Sequence, residues 1–156
     1  MEHELRKVGT NFVSSRREVP ANRRSRSASS NEITALFGEA TLTFPQALML
    51  RYSKFEPEER RSPQVAADYA KWFFGRLRAV EAAVAGSETL CAGRFMVADI
   101  SVGYALLLAD RIGLGRDFGP AVAAYWRRLR ERDGFCRALQ AEAVAGEQQN
   151  AASHWW

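Results

Sequence analysis

Residues 96–112, MVADISVGYALLLADRI, constrain this chain more than any other stretch. Ile100, Val102, Tyr104, Ala105, Leu106, Leu107, Leu108 and Ile112 fall on nearly every side of a helix. A helix that is apolar all round is either buried in a core or set in a membrane. The uncharged run at 100–109 is too short for a bilayer, which needs about 20 apolar residues. The spacing therefore predicts a buried central helix with the other helices packed around it. Asp99 lies at its start, where a carboxylate can accept orphan backbone N–H bonds and complement the helix dipole.

The flanking patterns are helical too. At 31–53, Ile33, Leu36, Phe37, Ala40, Phe44, Leu48 and Tyr52 recur at helical spacing, with Pro45 inside the run. Proline lacks an N–H and clashes with the preceding turn, so this first helix should bend or restart there. Ser62 followed by Pro63 is a helix start. From there Val65, Tyr69, Trp72, Phe73, Leu77, Val80 and Val84 make one broad apolar face, and Gly86 is the expected stop. The adjacent aromatics Trp72, Phe73 and Phe74 read as core packing rather than a ligand platform. Pro120 opens a fourth helix with Val122, Tyr125, Trp126 and Leu129 inward, and the last is expected from about Gly134 to Gly146. No segment alternates as a strand should. The fold class is all-α, a bundle of about five helices around the central one. With 156 residues there is room for one domain, read as a helical body at 31–145.

Charge separates this body from its ends. Residues 1–30 hold seven basic and three acidic side chains, which accounts for the whole net charge of +4. This Arg- and Ser-rich segment has few apolar residues and reads as a disordered basic tail. It would serve nucleic acid or an anionic membrane if it served anything, and a solvated leader is the simpler reading. Charge balance in the body argues against a nucleic-acid partner. No apolar run is long enough for a membrane span. Residues 146–156 read as a polar tail ending in Trp155-Trp156. Two distant cysteines, Cys91 and Cys136, make neither a disulfide framework nor a metal site, which fits a reducing, cytoplasmic setting. Both histidines, His3 and His154, lie in the tails. The body therefore offers no His-based triad or metal site, and no catalytic constellation of its own.

A family resemblance rests on specific residues. Phe95-Met96-Val97-Ala98-Asp99-Ile100, preceded by Leu90-Cys91-Ala92-Gly93-Arg94, resembles the signature that opens the central helix in the C-terminal helical domain of cytosolic glutathione S-transferases. Residues 120–126, Arg132 and 135–139 resemble that family's closing helices. The similarity covers roughly 37–141. The family pattern has Ser or Thr as the helix cap, with Asp three residues on. Here Met96 takes the cap position and offers no oxygen, while Asp99 keeps its half of the capping box.

The resemblance implies conjugation of glutathione to electrophiles. It also implies a thioredoxin-like domain ahead of the helices, carrying the residue that activates the thiol; residues 1–30 are too short and too polar to be it. The expectation is a truncated member, weakly active or inactive alone, or else a non-catalytic helical protein–protein interaction module. No catalytic residue carries over. By position, Phe37, Thr41 and Phe44, together with Tyr104, would line the electrophile site. No tightly bound cofactor is expected, with glutathione as co-substrate. A first helix stripped of its usual cover would favour a homodimer or a partner protein.

Overall fold

The computed structural model describes residues 37–91 and 93–149. The expected disordered tail at 1–30, the first helix's expected start at 31–36, and residues 150–156 lie outside them. The described residues form a bundle of helices. Helix α1 spans 37–55, α2 Pro63–Val84, α3 Val97–Arg111, α4 Pro120–Arg130 and α5 Asp133–Gln148. Among the described residues there is no strand, only a single antiparallel bridge between Cys91 and Arg94. No helix among them is long and apolar enough to cross a membrane.

Helix α1 changes pitch twice. It is a π-helix over Phe37–Thr43, an α-helix over Phe44–Leu50 and a π-helix again over Arg51–Phe55. The first change falls at Pro45, the second residue of the α segment. A proline ring crowds the carbonyl four residues back, and a wider preceding turn relieves that crowding. So the helix neither breaks nor restarts at Pro45; it tightens. The wide turn also rotates the inward face away from the 3.6-residue expectation. Leu42, Gln46 and Leu50 are buried, whereas Phe44 is 50% exposed. Gln46 reaches across the core, its Nε2 donating to the carbonyls of Leu42 at 3.1 Å and Ala105 at 3.0 Å.

Helix α2 begins as the sequence indicates, with the Val65 N–H donating to Ser62 Oγ at 3.4 Å. Phe73, Leu77, Val80 and Val84 point into the core. Trp72 does not; it is 42% exposed, against the expectation of core packing, because it sits on the flank of α2 that α1 covers only in part. Helix α3 supplies Val102, Ala105, Leu106 and Ala109 to the core, and α4 adds Val122, Tyr125, Trp126 and Leu129. Gly38 lets α1 lie directly on α3, since a Cβ there would stand 2.8 Å from the Ser101 carbonyl carbon and 2.9 Å from the Val102 nitrogen.

Helix α4 starts at Gly119, which has no capping side chain. Glu81 of α2 supplies the cap instead, accepting from the N–H groups of Ala121 and Val122 at 2.8 and 2.7 Å. Helix α5 packs from outside. Its Phe135 ring meets Trp126 edge-on at 5.4 Å, and its Glu142 pairs bidentately with Arg111 at 2.8 and 3.0 Å. Gly146 does not stop this helix, which runs on to Gln148, so the residues read as a polar tail begin inside it. Glycine mid-helix is an entropic cost of about 1 kcal/mol, not a barrier.

Candidate functional site

Helix α3 is not buried all round. Val97 is 50% exposed, and Ile100 and Tyr104 are each 58% exposed. These residues are spaced i, i+3 and i+7, so they form one outward stripe along the helix. The opposite side carries the small residues Ala98, Ala105 and Ala109, which sink into the core. Hydropathy alone cannot separate the two sides, because both are apolar. The stripe is what the all-round apolar pattern concealed.

The start of α3 is fixed by a buried polar cluster. Asp99 is 1% exposed and holds three donors. The Met96 N–H reaches Oδ2 at 2.9 Å, and the Leu90 N–H and Tyr125 OH reach Oδ1 at 3.0 and 2.8 Å. Helix α4 is thereby tied to the loop ahead of α3 through one carboxylate. Burial, then the Asp99 charge, push the Tyr125 phenol far above its ordinary range. On the cap side, the Met96 thioether is at most a weak acceptor for the Asp99 N–H. That N–H instead donates to the Met96 carbonyl at 3.0 Å. Beside this cluster, Arg128 donates to the Ser87 carbonyl at 3.4 Å, and the Arg132 guanidinium covers the Phe95 ring at 3.7 Å.

The four residues put forward for an electrophile site lie on α1 and α3. Backbone alone places Phe37, at the first described position of α1. Thr41 is half-buried one turn on, Phe44 turns toward α2, and Tyr104 belongs to the outward stripe of α3. Two shallow grooves are lined by other residues. One, of about 260 Å³, runs along α2 between Val65, Asp68, Tyr69 and Trp72. The other, of about 440 Å³, lies between α2 and the turn before α4, bounded by Phe74, Arg78, Glu81 and Asp117. Sequence reasoning did not single out either. The first was legible only as the aromatic residues themselves, because helical spacing does not say which flank a neighbouring helix leaves open.

Among the described residues no group of His, Cys, Asp or Glu side chains could hold a metal ion. The Cys91 thiol is half-buried and the Cys136 thiol exposed. Buried carboxylates are engaged in structure: Asp99 in the cluster above, and Glu56 with Arg51 at 2.6 Å and Arg60 at 2.9 Å.

No family model matches the sequence, and no curated protein matches it. Solved structures do. The glutathione transferase URE2P5 of Phanerochaete chrysosporium superposes with a TM-score of 0.69 at 20% identity, over 80% of this chain and 58% of that one. Ure2p5 cocrystallized with 1-(S-glutathionyl)-2,4-dinitrobenzene gives 0.69 at 19% identity, over 79% and 59%. URE2P8 of the same fungus, with oxidized glutathione, gives 0.66 at 15% identity, over 85% and 60%. The chain thus spans under two thirds of the length of the structures it matches. It has the fold of the C-terminal helical domain of glutathione transferases.

Proposed function

We propose that this chain is the helical part of a glutathione transferase-like protein, and that it works against a second domain or protein rather than alone. The exposed stripe of α3 carries the reading. Val97, Ile100 and Tyr104 place apolar surface in water along the helix that anchors the core. Contiguous apolar surface of this kind marks an interaction face. The described residues contain no strand and no thiol-activating arrangement, so the glutathione-binding half of the chemistry has to come from elsewhere. In this reading the helices form one wall of an electrophile site, with Thr41, Phe44 and Tyr104 as the wall residues on α1 and α3, and Phe37 as the fourth by position. Glutathione enters as co-substrate, not as a resident cofactor, and the setting is cytoplasmic.

The reading is tested by calorimetry on the purified chain with millimolar glutathione and, separately, with 1-(S-glutathionyl)-2,4-dinitrobenzene, the conjugate that Ure2p5 was crystallised with. Heat from the conjugate with little or none from glutathione is the expected result, since only the electrophile wall is present. Conjugating activity in this chain by itself would overturn the division of labour. Silence with both ligands would favour a second reading, a non-catalytic helical interaction module, to which the same α3 stripe would belong.

A further inference from the structure

A groove of about 440 Å³ separates α2 from the turn that leads into α4. That volume lies in the range of small-molecule sites, about 300–1,000 Å³. Its floor is apolar, with Phe74 half-buried and Leu77 buried. Gly75 adds no side chain to that floor, and the Arg78 guanidinium lies 3.8 Å from where a Cβ at Gly75 would stand. The guanidinium is therefore folded over the groove rather than extended away from it.

The charges around this floor indicate which ligand fits. Four charged side chains line the groove, and two of them are engaged. The Glu81 carboxylate accepts from the first N–H groups of α4, and Lys71 reaches Asp68 at 3.4 Å. The other two are Arg78 on α2 and Asp117 in the turn Gly115–Asp117. Both are exposed, and neither holds a hydrogen bond or ion pair among the described residues. They line one groove yet stand beyond ion-pair distance of each other. A ligand lying between them has to meet both signs. A simple anion would face Asp117, and a simple cation would face Arg78. A zwitterion satisfies both, with its carboxylate on the guanidinium, whose paired donors match it, and its ammonium on Asp117. The apolar floor then takes a hydrophobic side chain.

We propose that this groove binds a small apolar zwitterion, an amino acid or dipeptide with a hydrophobic side chain, held between Arg78 and Asp117 over Phe74. The proposal depends neither on glutathione chemistry nor on the α3 stripe. NMR titration of the full 156-residue chain tests it, with L-leucine and, separately, leucyl-leucine, read at the backbone amides of 74–81 and 115–119. Exposed charge pairs are weak, so the expected result is saturable shifts with Kd in the millimolar range. One probe or both will give them, and the tighter of the two identifies the source. Arg78→Gln and Asp117→Asn should each weaken binding about fivefold. Circular dichroism should be unchanged in both variants, since both positions are exposed and unpaired. Leucinamide lacks the carboxylate, so it should bind more weakly than leucine and be indifferent to Arg78→Gln. N-acetylleucine lacks the ammonium, so it should bind more weakly and be indifferent to Asp117→Asn. No saturable shift at these amides with either probe overturns the inference. So does leucine binding that neither variant weakens, or leucinamide binding as tight as that of leucine.

Discussion

Two residues decide how the central helix begins, and they do so unequally. Asp99 satisfies three donors, while Met96 occupies the cap with a side chain that offers almost nothing. Restoring an oxygen by Met96→Thr should raise stability by about 0.5–2 kcal/mol, a shift of a few degrees in Tm that differential scanning calorimetry would read. A Tm unchanged or lowered would count against helix α3 starting here. Tyr125 gives a second prediction with a defined sign. Its folded-state pKa is raised above the unfolded value of about 10. A raised pKa contributes stability that is fully present below the unfolded value and lost as pH rises past it, because the unfolded chain releases the phenolic proton first. Urea midpoints should therefore fall as pH climbs beyond about 10. Tyr125→Phe should flatten that part of the profile and cost about 1–3 kcal/mol at neutral pH, since Asp99 Oδ1 loses a buried donor. The role of Asp99 at the helix start was legible in the sequence; its bond to Tyr125 was not, because it joins two helices 26 residues apart and depends on how they pack.

Whole elements were legible in type and less so in phase. The start of α2 at Ser62-Pro63 and that of α4 at Pro120 are written in their capping and first-turn residues. The inward face of α1 is not, because a π turn before Pro45 displaces every later position by a fraction of a turn. A count by 3.6 therefore placed Phe44 inward and missed Gln46. The outward stripe of α3 was hidden for a different reason: an amphipathic contrast needs polar residues, and that helix has almost none on either side. Two contacts between elements can be tested directly. Gly38→Ala should cost about 1–3 kcal/mol, as overpacking does, because the new methyl meets the α3 backbone, which cannot rotate away. Glu81→Ala leaves the first N–H groups of α4 without their acceptor and should cost about 1–3 kcal/mol by the same measurement. By contrast, Glu142→Gln should cost no more than about 1 kcal/mol, since Glu142 itself is 54% exposed and its Arg111 partner half-buried.

For the molecule as a whole, two features stand apart: the outward stripe of α3 and the closed polar cluster that ties the loop at 87–96 to α4. Of the cluster, only the Asp99 bond at the helix start was legible in the sequence; its bonds to Leu90 and Tyr125 were not. The stripe depends on which flank a neighbour leaves uncovered, and that is a property of packing. The arrangement at Glu81 has one more consequence. The start of a helix is an attractive berth for a negatively charged group, and α4 has filled that berth with a carboxylate tethered to its own chain. A tethered group competes at an effective concentration on the order of millimolar. An anionic visitor, including either carboxylate of a tripeptide thiol, therefore meets an occupied seat at α4 and must be drawn to this protein by something other than that helix.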